Sequence, residues 1–258
     1  MGTLKTGLVS ITFRSLSVDE TVALVNAAGQ RVIEWGGDVH VPHGDLSAAR
    51  YASRLCRDAG IEMPSYGSYF RIGRSADEGL AFERVAETAA ELGASTIRVW
   101  AGASGSGETD RDTRRAIADE ARTCAEIAAS VGVTLSFEYH GGTLTDTDES
   151  AVEFLQEVDH PAVRSYWQPR TGVSVSANLA GLSGVAHWLS NVHVFHWNST
   201  RERLTLEEGR DAWGAYLARV LELPGERHAM LEFVRDDDPE RYLADARTLE
   251  SLLADQEK

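Results

Sequence analysis

The feature that most restricts this chain is an alternation repeated eight times. A short run of β-branched and aromatic residues is followed by a longer stretch with apolar residues at helical spacing. The runs predict strands at Leu8–Phe13, Val32–Trp35, Glu62–Tyr66, Thr96–Trp100, Thr134–Tyr139, Val163–Trp167, Val192–Trp197 and Ala229–Val234. The stretches between them carry helix punctuation. SVDETVALVNAAG places Ser17 three residues before Glu20, the spacing of a capping box, and closes at Gly29. YASRLCRDAG and ARTCAEIAASVG also stop at glycine, and the last helix is expected to begin after Pro239. Eight β–α units without a linker or composition break allow two architectures. An open doubly wound sheet usually carries a glycine-rich dinucleotide turn after its first strand, and here that strand runs into TFRSLS. The cluster GASGSGE, residues 102–108, reads as a mobile loop rather than a phosphate cradle. A closed (β/α)8 barrel, typically about 250 residues, fits better, as one domain over residues 1–258.

In that fold the chemistry lies at the C-terminal ends of the strands. His40, His43, His140, His193 and His196 fall at or just past the ends of strands two, five and seven. His160, His187 and His228 precede a strand or sit in a helix and read as structural. The acids follow the same geography. TLSFEYHGGT is an apolar strand that nonetheless delivers Glu138 and His140 just before a Gly-Gly turn. A carboxylate is rarely buried without a partner. Glu232 ends strand eight, Gln168 follows strand six, and His193 sits in strand seven. Strands five to eight are neighbours on the rim, so two carboxylates, an imidazole and an amide oxygen can converge as a divalent-metal site.

The landmarks VIEWGGDVHVPHGD, LSFEYHGGT, VHVFHWN and MLEF stand at strands two, five, seven and eight. With them the chain resembles the xylose isomerase-like barrel superfamily, in its sugar phosphate isomerase/epimerase branch, over nearly its whole length. The resemblance implies one divalent metal held by a Glu on strand five, an Asp after strand six, a His on strand seven and a Glu on strand eight. Those positions are Glu138, Gln168, His193 and Glu232, so glutamine stands where the family has aspartate. Thr171 stands where the family's ketose epimerases tend to carry a histidine. Mostly oxygen donors favour Mn2+ or Mg2+, with Zn2+ and Co2+ as alternatives.

The resemblance implies isomerisation or epimerisation of a small sugar or cyclitol by proton abstraction next to a carbonyl. Glu138 and Glu232 are expected to flank the substrate and exchange protons with it. His40, His43, Trp100, His140, His196 and Arg201 are the expected substrate contacts; Trp35, Trp167 and Trp197 are further candidate walls. Arg98 reads either as an anion binder or as a surface ion pair. The rivals are dehydration of a keto-cyclitol in the same superfamily, phosphodiester cleavage, and a metal-free ligand-binding relative.

Composition narrows these. The net charge of −15 disfavours nucleic acid, whose binding needs a basic surface. The only lysines are Lys5 and Lys258, which excludes Schiff-base and P-loop chemistry mid-chain. Cys56 and Cys124 lie in apolar helical patterns and read as buried thiols of a reducing compartment. No signal-like opening or span-length apolar run is seen, so a cytoplasmic protein without a membrane partner is expected. Homo-oligomerisation is compatible with the sequence.

Overall fold

The computed structural model describes residues 2–256. Each β-branched run pairs in parallel with the next, because an amphipathic helix returns the chain along the outside of the sheet. The barrel strands are β1 (Thr3–Val9), β2 (Val32–Gly36), β3 (Glu62–Ile72), β4 (Thr96–Ala101), β5 (Thr134–Glu138), β6 (Val163–Trp167), β7 (Leu189–Val194) and β10 (Glu226–Leu231). A two-stranded ribbon, β8 (His196–Trp197) and β9 (Arg203–Leu204), stands outside the barrel after β7. Pairing runs in chain order around the ring and closes between β10 and β1, with Thr6 opposite Ala229. This is a (β/α)8 barrel. The helices are α1 (Val18–Ala27), α2 (Leu46–Asp58), α3 (Phe82–Leu92), α4 (Arg111–Ser130), α5 (Asp148–Val158), α6 (Val175–Gly184), α7 (Arg210–Leu221) and α8 (Pro239–Gln256). Ser17 and Glu20 form the expected reciprocal capping box. Pro239 is itself the first residue of α8. Cys56 and Cys124 are buried free thiols. Among the described residues no helix is long and apolar enough to cross a membrane.

Four strands depart from expectation by more than one residue. The first strand is Thr3–Val9 rather than Leu8–Phe13; Ser10–Phe13 is a 3-10 turn. The Ser10 hydroxyl accepts the Gly36 N–H at 2.9 Å, drawing the chain out of the ladder at that point. Strand three runs on to Ile72, because the register shifts between Gly67 and Phe70 and lets the pairing resume. Strand seven is Leu189–Val194, and the His196–Trp197 pair belongs to the ribbon. Strand eight is Glu226–Leu231, so Glu232 stands one residue beyond it.

Two apolar regions hold the fold. The larger fills the space between sheet and helices. The smaller plugs the barrel interior with Val9, Ile11, Val32, Tyr166 and Met230. Gly7 faces the same interior, and a Cβ built there would lie 2.2 Å from the Val32 carbonyl oxygen. Gly7→Ala is therefore expected to destabilise the barrel by about 1–3 kcal/mol through overpacking. The check is a lower urea midpoint at unchanged slope.

Candidate active site

Strand alternation carries the interior from apolar to polar in one step. Two residues beyond Val32, Tyr166 and Met230 on the same faces stand Glu34, Gln168 and Glu232. By the same parity β4 contributes Arg98, β5 Glu138 and β7 His193. Glu34, Arg98, Glu138, His193 and Glu232 are all at least 96% buried.

The four donors expected from sequence come together. His193 Nδ1 lies 3.7 Å from Glu138 Oε1 and 3.6 Å from Glu232 Oε2. Gln168 Oε1 is 3.2 Å from the same nitrogen. The amide of Gln168 is oriented by its own hydrogen bonds. Nε2 donates to the Tyr139 carbonyl at 2.6 Å and to Glu138 Oε1 at 3.4 Å, which turns the oxygen toward the cluster. The two glutamates therefore converge on one point beside His193.

A second group of charges lies behind them. Arg98 Nε donates to Glu34 Oε1 at 2.7 Å, and its Nη1 donates to Glu138 Oε2. Trp100 Nε1 donates to the same Glu138 oxygen at 2.6 Å. Arg98 is thus neither a surface ion pair nor a free anion binder; it is 1% exposed and held by two carboxylates. Glu34 and Arg98 form an inner part of the site that the sequence reading left aside. Its signal was available: Glu34, like Glu138, is an acid in an otherwise apolar strand.

The charges set unequal proton affinities. Burial raises that of Glu34, but Arg98 and His193 outweigh it and bring the carboxyl down to about 2. Glu138 also resists its burial, and Arg98 with His193 holds it well below the usual carboxylate range. Glu232 goes the other way. Burial and the Glu138 charge prevail over His193 and push it up to about 7. Burial disfavours charged His193, yet Glu232, Glu138 and Glu34 raise it to about 10.

The donor set fits a divalent cation. One atom each from Glu138, His193 and Glu232 lies within 4.8 Å of the others. The 3.6–3.7 Å gaps from His193 Nδ1 to both carboxylates exceed hydrogen-bonding distance, as for donors that face a common ion. A second group, Glu62, Glu226 and His228, lies at the opposite barrel end, where the Lys5 ammonium bridges the two glutamates.

A cavity of about 500 Å³ opens over the cluster, lined by Glu138, His140, Gln168, Arg201 and Glu232 among others. His140 donates through Nδ1 to the Gly141 carbonyl at 2.7 Å, since a carbonyl only accepts, and this leaves Nε2 to exchange protons. Phe195, Trp197 and Phe233 give the cavity an aromatic wall. Phe233 and Tyr69 have φ of +51° and +56°, left-handed backbone beside the cluster. Arg201, also left-handed, sits on a turn tied by Asn198 Oδ1, which accepts the N–H groups of Thr200 and Glu202. Its guanidinium is exposed and has no ion pair among the described residues, whereas nearby Arg170 is bonded to Asp148.

Other expected contacts lie elsewhere. The buried His40 ring bonds Ser10 Oγ at 3.0 Å and the Leu16 carbonyl at 3.1 Å. His43 Nδ1 is 2.8 Å from the Tyr66 hydroxyl, which donates to the Val41 carbonyl. Both histidines brace the loop after β2 and are not among the cavity-lining residues. His196 lines a smaller adjoining recess and packs on Gly209, where a Cβ would lie 2.6 Å from its ring. Trp100 backs Glu138 and lies beside His140, ring centroids 4.7 Å apart. Trp35 and Trp167 are fully buried in the outer core and offer no wall.

Fold and site together define a (β/α)8 barrel with a buried carboxylate–histidine cluster at the C-terminal strand ends. The chain belongs to the xylose isomerase-like TIM barrel family, whose model matches residues 22–252. It is 29% identical over 174 residues to a 3-dehydroshikimate dehydratase of Bacillus anthracis, a match spanning 62% of this chain and 60% of that protein. Among solved structures, it superposes on the probable 3-DHS dehydratase AsbF, involved in petrobactin synthesis in Bacillus anthracis. That match has a TM-score of 0.83 and 21% identity, over 96% of this chain and 99% of the other. It is also similar to a D-psicose 3-epimerase from Clostridium cellulolyticum H10, with a TM-score of 0.70 and 13% identity over 98% of each chain.

Two outcomes are expected. A divalent ion bound here displaces protons from His193 and Glu232. Mn2+ binding should release about two protons at pH 6 and about one at pH 8, with affinity rising as pH rises. Calorimetry in buffers of different ionisation enthalpy measures the count. Gln168→Asp adds a carboxylate to the donors and should tighten Mn2+ binding by about tenfold. It also takes away the amide that serves the Tyr139 carbonyl, so the metal-free variant should melt lower. Unchanged affinity on titration would mean that Gln168 does not touch the ion.

Proposed function

We propose that this chain is a divalent-metal-dependent lyase that removes water from a small keto-cyclitol carrying a carboxylate, of the 3-dehydroshikimate kind. The observation that carries the reading is the unpaired Arg201 guanidinium on the lining of a cavity whose floor is acidic. An acidic floor suits a cation, and a lone guanidinium at the rim suits an anionic group on the substrate. A neutral ketose would take hydrogen bonds from it but not the charge pairing. The match to a 3-dehydroshikimate dehydratase supports the same choice. Isomerisation or epimerisation, which the sequence favoured, begins with the same proton abstraction and differs only in the fate of the resulting enolate.

Glu138, Gln168, His193 and Glu232 would hold the ion, which supplies a positive charge against which a carbonyl oxygen polarises. The two glutamates then have different duties. Glu138 has one oxygen held by Arg98 and Trp100 and the other facing Gln168, so it stays anionic and is a poor base. Glu232, which neither Arg98 nor Trp100 holds by a hydrogen bond, removes the proton from the carbon beside the carbonyl. His140 gives a proton to the departing hydroxyl, which leaves as water. The proton on Glu232 then returns to His140, which closes the proton cycle unchanged. The ring dienone left by loss of water becomes aromatic as one ring proton moves to the carbonyl oxygen. Phe195, Trp197 and Phe233 pack against the flat face of the substrate and of its aromatic product.

The test is incubation of the Mn2+-loaded protein with 3-dehydroshikimate, following the absorbance of the dihydroxybenzoate left by loss of water. Glu232→Gln should lower turnover by about 10²–10⁴-fold at nearly full metal content. Arg201→Gln should raise KM more than it lowers kcat, because it binds a group that does not react. No aromatic product, together with deuterium from solvent entering a ketose beside its carbonyl, would return the assignment to an isomerase or epimerase.

A further inference from the structure

Glu34 contributes no donor to the cluster, yet it is fully buried on β2 directly behind it. Its Oε1 accepts the Arg98 Nε–H at 2.7 Å. Its Oε2 has no hydrogen bond among the described residues, and neither has His193 Nε2. These two atoms lie 3.6 Å apart in the buried interior, close enough for a small shift to join them, with the Tyr166 hydroxyl also near the Glu34 carboxylate. Nδ1 of the same ring donates to Gln168 Oε1 at 3.2 Å, a bond that an ion at this point would replace, and faces Glu138 and Glu232. The imidazole is therefore a bridge with one nitrogen on each side. The Tyr166 ring, 4.9 Å away, packs against it.

We propose that Glu34 is a positioning residue: it draws the His193 Nε2–H to its carboxylate, so that Nδ1 presents its lone pair to the cation. Arg98 fixes Glu34 in that role. The inference rests on the metal reading above and leaves the substrate open. Its second consequence concerns charge. With Gln168 neutral, the donors carry only two carboxylates, and Glu34 offsets the Arg98 cation beside Glu138, so that those two charges stay available to the ion. The fold keeps room for this arrangement. At Gly67 on β3, a Cβ would lie 2.6 Å from Arg98 Nη2 and 2.7 Å from Glu34 Oε1. The Tyr69 ring, 5.2 Å from the guanidinium carbon, covers Arg98 from the cavity side of the same bulge. Histidine ligands held through their second nitrogen by a carboxylate typically lose about 10–100-fold in metal affinity when that partner is changed.

The experiment uses Mg2+ alone, with no substrate. Wild type and Glu34→Gln are titrated with Mg2+ by calorimetry, folding is checked by circular dichroism, and the Mg2+-loaded proteins are examined by NMR after ¹⁵N-histidine labelling. Glu34→Gln should bind Mg2+ about 10–100-fold more weakly. The wild-type His193 Nε2–H should exchange slowly with solvent, and the same proton should exchange faster in the variant. A folded Glu34→Gln whose affinity stays within about twofold of wild type overturns the role of Glu34. If that variant does not fold, the wild-type spectrum still decides. A ring bound through Nε2, with its proton on Nδ1, overturns the proposal directly. A wild type that binds neither Mg2+ nor Mn2+ removes the metal reading itself, and is told apart because both proteins then give flat titrations.

Discussion

The buried guanidinium of Arg98 is the interaction on which the rest of the site depends. Taking an ion out of water costs several kcal/mol even after relaxation, and removing one member of a buried pair typically costs about 3–5 kcal/mol. Arg98 meets that penalty with two carboxylates, one on β2 and one on β5, and so ties together three strands of the barrel wall. Local features follow from making room for it. β3 carries glycine where the Arg98–Glu34 pair passes, and its register slips so that Tyr69, in a left-handed conformation, covers the guanidinium. Strain of this kind persists only where neighbouring contacts over-determine it.

The same cation separates the two glutamates that face the cavity. Glu138 is within reach of Arg98 and Trp100 and is held anionic. Glu232 faces His193 with neither of those donors, and burial raises its proton affinity toward neutrality. Two carboxyl groups of identical chemistry thereby acquire different proton affinities, which is the difference the proposed reaction draws on. Charge is also graded along the cavity. Its floor is acidic and buried, while the exposed Arg201 guanidinium has no ion pair among the described residues. A ligand that is polar at one end, anionic at the other and flat between them matches that gradient and the aromatic wall of Phe195, Trp197 and Phe233.

Much of this was legible in advance, and the reason is parity. The period of two along a strand and the location of chemistry at strand C-termini are enough to say that Glu138, Gln168, His193 and Glu232 share a face and an end. Strand limits were less legible, because apolar residues of a 3-10 turn such as Ile11 and Phe13 bury as readily as those of a strand. Partners were less legible still. His40 and His43 stand near the rim in sequence, but hydrogen bonds to Ser10 and Leu16 take both ring nitrogens of His40, and Tyr66 holds Nδ1 of His43. Trp35 and Trp167 end strands and face outward, into the helix layer.

By itself, then, the sequence determined the eight-fold alternation, the closed barrel that a linker-free chain of this length can form from it, and which polar side chains turn inward near the strand ends. Those are consequences of local periodicity, which neighbouring residues carry among themselves. Only the tertiary structure decided that Arg98 bridges Glu34 and Glu138, that Glu138 and Glu232 meet at one point, and that Arg201 lines the cavity with no ion pair among the described residues. Each of these brings together residues from strands or loops far apart in the chain. Their energies depend on distance and on the exclusion of water, and neither is written in the order of the residues.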